Sequence, residues 1–546
     1  MVEDDGKRKT VMTADDDVSA EEWLSRARQL LPEALGRARE VRGFPGRWKM
    51  IVTKLEQVSP TLSDLSTHPC FSKNVLFKEQ LRSVFRSLSE SIELSEVCCG
   101  ERYDGKLRMQ SDLDFLAGKL DLNLRDCRIL IKTGVIGEEF LARLQIGHLE
   151  DKHKALDCLL EAMEEDEKKV LEALGRNSVT ALVQLLTAAT SPRIREKAVT
   201  VVCSLAAAGR FDKWMVEEGV LPPLIRLVES GTDLGKEKSA LSLQRLSSSV
   251  LTARAIVGHG GVRLLAEVCA AAGDSVTQSA AACTLKNISV VPEVLQVLVE
   301  EGAIKLMIDL LDFAPLVGTK NHAAECLQNL TAGNDDIKRR VVSDGGVRSL
   351  LAFLDSHGTP RESTVLAVRN LVRWAPTDEL VSLGILPKLA RVLRSGPPGA
   401  QQAAASSICK LCTSGDAMKL AVSEAGCVPL LVGMLGAKTN GAREVAAEAA
   451  SALMRVPQIR REVKRDARSV PNLVANLDPN PQNAAKKYAV SCLVILSTSK
   501  RCRRLMVAHG AIGYLKKLSE MEVPGAKKLL ERLERGRLMR SLFGRH

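Results

Sequence analysis

Four places in the chain carry side chains at spacings that chemistry uses. Cys409-Lys410-Leu411-Cys412 has the CxxC spacing of a redox dithiol or of half a zinc site. A structural zinc takes four ligands, and no second pair or nearby histidine completes the set, so both thiols are expected to pack in a helix core. Gly258-His259-Gly260-Gly261 has the glycine density of a phosphate loop, but no strand precedes it and it reads as a turn. His148 and His153 flank Leu-Glu-Asp-Lys and read as solvated. The fourth place is a row: Ser204, Arg245, Asn287, Asn329, Asn370, Lys410, Arg455 and Ile495 are taken as equivalent positions of a repeated pattern, three amides between cations. An amide side chain both donates and accepts, which suits the unpaired N–H and C=O groups of an extended peptide. The cations would favour acidic partners. The alternative is that each Asn caps its own helix end or is merely solvated. GxxxxGKS/T, HExxH and GxSxG are absent, so no catalytic residue, cofactor or metal is expected.

What positions this row is a repeat. EEGVLPPLIRLV (217–228) returns as EEGAIKLMIDLL (300–311), VSLGILPKLARVL (381–393), SEAGCVPLLVGML (423–435) and VAHGAIGYLKKL (507–518). Anchoring each occurrence gives Asn177, Gly219, Gly260, Gly302, Gly345, Gly384, Gly426, Arg468 and Gly510, spaced 39 to 43 residues apart. A second element follows about 27 residues on, as LQRLSSS, LKNISV, LQNLTA, VRNLVR and ICKLCTS. In NHAAECLQNL, Ala324, Leu327 and Leu330 share one helical face. The anchor glycine can take φ > 0 between a short helix and the next. Pro222, Pro387, Pro429 and Pro471 fall where that next helix begins, a position that tolerates proline. Three helices in about 42 residues, each unit touching only its neighbours, make an α-solenoid. The composition agrees, with aromatics at 3% and hydrophobic residues at 45%.

The E-G-V/A-L/I-x-x-L pattern and the helix ending in L-x-N-L resemble armadillo repeats over about residues 165–525. The fold class expected is therefore all-α, an armadillo-type α-solenoid of about nine repeats behind an N-terminal helical bundle. The resemblance implies that the Asn-bearing helix lines a concave groove, with Arg245, Asn287, Asn329, Asn370, Lys410 and Arg455 as its partner-binding residues. The importin-α adaptors pair that Asn with a Trp four residues earlier. Here those places hold Thr200, Leu241, Cys283, Glu325, Leu366, Ser406, Ser451 and Ser491, which argues against basic nuclear-localisation cargo.

Ahead of the repeats, Ser19 and Glu22 form a capping-box pattern, Phe44-Pro45-Gly46 breaks the helix it opens, and further helical runs fall at about 48–67, 72–98, 109–131 and 138–172. LEQVSPTLSDL and KLRMQSDLDFLAGKLDLNL resemble the N-terminal helices of plant U-box armadillo proteins. The Cys-Pro-Ile and Asp-Pro-Val segments of a U-box are not found between Asp104 and Gly175. The domains expected are a disordered acidic segment (1–18), the bundle (19–165), the solenoid (166–525) and a basic amphipathic tail (526–546).

The formal net charge is +11, without the folded basic face a specific nucleic-acid site needs. From Lys527 onward there are seven basic and two acidic residues. Lys527, Lys528, Arg532, Arg535, Arg537 and Arg540 could meet an anionic membrane surface, or the segment could be a final solvated helix. Fourteen cysteines without a secretory leader read as reduced thiols, hence a cytoplasmic protein, with nucleus or membrane periphery as further sites. The function expected is a non-enzymatic scaffold or adaptor holding an extended, acidic-leaning protein segment. An accessory of a ubiquitin ligase and a membrane-associated organiser are the alternatives.

Overall fold

In the computed structural model, which describes residues 18–67, 71, 75–100, 105–133, 149–187, 191–271, 273–356 and 360–543, Ser19 opens the first helix as its pattern requires. Its Oγ accepts the Glu22 N–H at 3.2 Å. Helix α1 (Ala20–Glu40) ends short of Phe44, whose left-handed φ of 51° turns the chain into α2 (Pro45–Ser66) with Pro45 in the first turn. Helices α3 (Val75–Cys99) and α4 (Lys106–Thr133) follow. Helix α1 packs on α2 and α3, and α4 packs on α2 and α3. The four contacts close a bundle around Trp23, Ala27, Trp48, Ile51, Leu55, Phe77, Leu81, Leu113 and Leu116. One polar cluster lies inside it. Asn123 of α4 donates to Ser87 Oγ at 2.8 Å, and its carbonyl oxygen accepts from Ser83 and Gln80 of α3, so the buried amide is satisfied.

The chain divides into two compact units, 1–201 and 202–546. The first also contains α5 (Leu149–Ala173) and α6 (Arg176–Thr187), and α7 (Pro192–Ala208) crosses the division. A domain boundary at 165 falls inside α5, because the buried face carrying Leu156, Leu159 and Met163 continues to Val170. Residues 1–17 and 138–148, read above as an acidic segment and the start of a helix, lie outside the described residues.

Among its described residues the second unit is all-α, a solenoid of repeated helix triplets. One repeat shows why. The short helix Leu295–Glu300 stops at Gly302, whose φ of 77° lets the chain turn directly into Ala303–Phe313. That helix buries Ala303, Ile304, Met307, Ile308 and Leu311 at three- and four-residue spacing. The third helix, Val317–Leu330, buries Ala324, Leu327 and Leu330 on one face. The anchors Gly219, Gly260, Gly302, Gly345, Gly384, Gly426 and Gly510 all have φ between 68° and 87°. Arg468 does not (φ −82°), and Asn177 lies within α6.

Second helices stack on second helices from Leu221–Ser230 to Ser469–Ala475, and third on third from Asp233–Leu246 to Ala526–Phe543. The last of these was read above as a tail. It packs on Ala511–Glu520 and Lys486–Leu496 with Leu529 and Leu533 buried, so a boundary at 525 is displaced. The apolar side of the segment covers the end of the stack.

Candidate partner-binding face

The third helices pack side by side in sequence order, which brings their last turns into one row. Asn287, Asn329 and Asn370 each sit one residue before the final Leu or Ile of their helix, and all are half-buried. Their amide N–H groups point along the stack. Asn287 donates to Ser247 Oγ at 2.9 Å and Gln244 C=O at 3.2 Å. Asn329 donates to Ser289 Oγ at 3.0 Å. Asn370 donates to Thr331 Oγ1 at 3.2 Å and Gln328 C=O at 3.4 Å. Each acceptor hydroxyl belongs to the buried residue that ends the previous third helix, and it passes its own hydrogen to that helix: Ser247 to Gln244 C=O, Ser289 to Lys286 C=O and Thr331 to Leu327 C=O. The amides thus satisfy groups that a helix C-terminus leaves open.

This amends the expected role of the Asn row, adding a bond between repeats to the partner contacts expected there. Asn287 and Asn370 spend both amide hydrogens between repeats, and Asn370 Oδ1 accepts from the Arg369 guanidinium at 3.2 Å. The row is a ladder that joins repeats. The signal was in the sequence, as the Ser or Thr two places after the row position in LQRLS, LKNIS and LQNLT.

Arg455 needs a correction. Its helix, Asn440–Leu453, ends two residues earlier, so Ala452 holds the row position and the exposed Arg455 stands in the following turn. Arg245 is at the row position and exposed; Ser204 and Ile495 are half-buried. Lys410 donates to Arg369 C=O at 2.8 Å, because the hydroxyl place of the preceding repeat holds Val372. The row gains a member in Arg532, which donates to Ser497 Oγ at 2.7 Å. Lys527, Lys528 and Arg535 are exposed, and the side chains of Arg537 and Arg540 lie outside the described residues. No described helix alone is long and apolar enough to cross a membrane.

Charge is unevenly spread on this face. Beside Asn287 and Asn329, Lys286 meets Glu325 at 3.6 Å. His322 is held below the usual imidazole range by burial and by the Lys286 charge. One repeat further, Arg369, Arg373 and Lys410 have no carboxylate within ion-pair distance among the described residues. Burial lowers the Arg369 guanidinium. Burial, then the charges of Arg369, Arg373 and Lys338, lower the Lys410 ammonium to about 8. Lys338 and Arg339 stand 6.0 Å and 5.0 Å from the Trp374 ring.

The other sequence candidates resolve differently. Burial pushes the Cys409 thiol up to about 11 and Cys412 up to about 12, the opposite of an activated dithiol. Gly260 and Gly261 form the repeat turn. His153 is not merely solvated: its Nδ1 lies 3.1 Å from an Asp157 carboxylate oxygen and 2.9 Å from Lys197 Nζ, donating to the first or accepting from the second according to its tautomer. His148 lies outside the described residues.

Residues 25–135 match the model of a domain of unknown function (DUF7032). Among solved structures, an engineered protein from a structural genomics consortium superposes with a TM-score of 0.61 at 23% identity, covering 74% of this chain and 98% of its own. A designed armadillo repeat protein superposes with a TM-score of 0.39 at 20% identity, covering 43% of this chain and 99% of its own. The first likeness bears on fold alone. No curated protein matches the chain.

Proposed function

We propose that the chain is a non-enzymatic scaffold whose solenoid holds an extended protein segment, rich in acidic side chains, along the third-helix face. A helical-repeat fold of this type suits protein binding. The observation that supports the acidic preference is the group Arg369, Arg373 and Lys410, cations on that face without carboxylate partners. Exposed Arg245 extends the charge toward one end. Because Asn287, Asn329 and Asn370 are engaged between repeats, backbone recognition falls to what they leave open, such as the Asn287 carbonyl oxygen. The proposal places the protein in the cytoplasm and includes kinship with plant U-box armadillo proteins, supported by the layout of long helices ahead of the stack. A membrane role for the last helix loses support, because Leu529 and Leu533 are buried.

The test has two stages. Segments captured by the tagged full chain from cell extract are identified, synthesised and titrated by calorimetry at low and moderate salt. The expected result is an affinity that falls with salt and drops about tenfold or more in Arg373→Glu with Lys410→Glu, since charge-assisted hydrogen bonds are the strong ones. Equal affinity for wild type and the folded double variant moves binding off this face.

A further inference from the structure

The Lys410 ammonium sits at the Arg369 carbonyl, 2.8 Å away, and the charges of Arg369, Arg373 and Lys338 act on it. Arg369 comes from the end of Glu362–Leu371 and Arg373 from the turn after it. Lys410 ends Pro398–Leu411, and Lys338 belongs to Asp335–Ser343. Three of the four are held in place. Lys410 is pinned to Arg369 C=O at 2.8 Å and Arg369 to Asn370 Oδ1 at 3.2 Å. Lys338 donates to Gly333 C=O at 3.1 Å and to Asp335 at 2.8 Å. Arg373 is exposed and uncommitted.

Among the described residues, Asp335 is the one carboxylate in ion-pair reach of any of them, and it serves Lys338. Glu448 of the next third helix acts on Cys409, as Arg373 does, and on Tyr488, and it makes no ion pair among the described residues. Such crowding raises the free energy of the face until an anion enters. A carboxylate would bring one charge and two acceptor oxygens. A phosphate monoester brings about −1.5 to −2 and three strong acceptors, and two guanidinium forks with an ammonium supply donors to match.

We infer that Arg369, Arg373 and Lys410, with Lys338 behind them, form a phosphate-monoester site, and that it takes a phosphorylated side chain of the segment bound along the third-helix face. The anion half stands on the cluster alone; the segment half rests on the function proposed above. Phosphorylation of the partner then sets its occupancy of the face.

The test titrates N-acetyl-O-phosphoserine amide into the full chain at low salt, followed by phosphorus-31 line broadening and calorimetry. N-acetylserine amide and inorganic phosphate are the other arms. Saturable binding of phosphoserine and none of serine is expected, weakened about tenfold or more in Arg373→Glu and in Lys410→Met. Lys213→Glu, an exposed cation elsewhere, leaves binding unchanged. Arg373 is exposed, so its variant decides the matter if Lys410→Met melts early. No saturable phosphoserine binding at millimolar concentration, or binding unaffected by Arg373→Glu, overturns the site. Inorganic phosphate binding more tightly than phosphoserine overturns its assignment to a side chain. If an unphosphorylated segment binds the face while phosphoserine does not, the phosphate site falls and the scaffold stands.

Discussion

At the scale of single residues, the face is defined by groups that have given something up. Lys410 is partly desolvated among like charges, so its ammonium titrates near 8 rather than at its ordinary value. The folded state then binds this proton more weakly than the unfolded chain. Below pH 8 both states are protonated and the full penalty is present. Between pH 8 and the ordinary lysine range only the unfolded chain holds the proton, so the penalty is relieved as pH rises. Subtracting the pH–stability profile of Lys410→Met from that of wild type should leave a difference that climbs with pH across that window. A flat difference curve places Lys410 in water. The thiols give a second expectation. With Cys409 near 11 and Cys412 near 12, the thiolate is well under ~0.1% at neutral pH. Iodoacetamide under native conditions should modify exposed Cys99 first and leave this pair largely untouched, as peptide mapping would show. Fast labelling of Cys409 would contradict its burial.

At the scale of elements, most of the solenoid was legible and part of the site was not. Period, helix order and the turn at each anchor glycine follow from apolar spacing and from one backbone requirement. The register slip at Arg455 arose because Ala452 has no functional group to mark the row, while a cation three residues on looks like one. The ladder was missed for a different reason: its acceptor hydroxyls lie some 40 residues from their amides, and nothing within one repeat pairs them. The ladder turns the stability expectation around. Substitution of exposed polar residues usually leaves stability alone, but here each amide removed takes away a hydrogen bond to a buried hydroxyl. Asn287→Ala, Asn329→Ala and Asn370→Ala together should therefore cost about 1.5–4.5 kcal/mol, at ~0.5–1.5 each. Urea unfolding measures it, and an unchanged midpoint would return the amides to solvent. The turns can be tested too. A Cβ at Gly346 would lie 2.9 Å from Val341 C=O and 2.6 Å from Val341 Cγ1, so Gly346→Ala should cost about 1–3 kcal/mol. Gly318→Ala, whose Cβ would meet only Ser279 Oγ at 3.8 Å, should be neutral or stabilising.

For the molecule as a whole, each third helix touches the one before and the one after, so damage should travel by adjacency. Leu327 is fully buried, and Leu327→Ala should cost about 2–5 kcal/mol by leaving a cavity. Hydrogen exchange should rise first in Val317–Leu330, then in Ser275–Ile288 and Glu362–Leu371, with Lys486–Leu496 affected last. Uniform acceleration along the solenoid would show that it unfolds as one block.

The amide–hydroxyl ladder also bears on how such a chain could lengthen. Residues 289–330 begin with the acceptor Ser289 and end with the donor Asn329 and its Leu330, one full period of 42 residues. Copied in tandem, this segment meets itself correctly: the second Asn329 finds a second Ser289, and Asn370 still finds Thr331. The same duplication of 454–496 would set Ile495 against Met454, with no polar pair to register the joint. The middle of the solenoid is thus a place where a slipped gene copy is accepted without further mutation, and its far end is not. A chain carrying the 289–330 duplication should fold and show a larger urea m-value, since m grows with the surface exposed on unfolding.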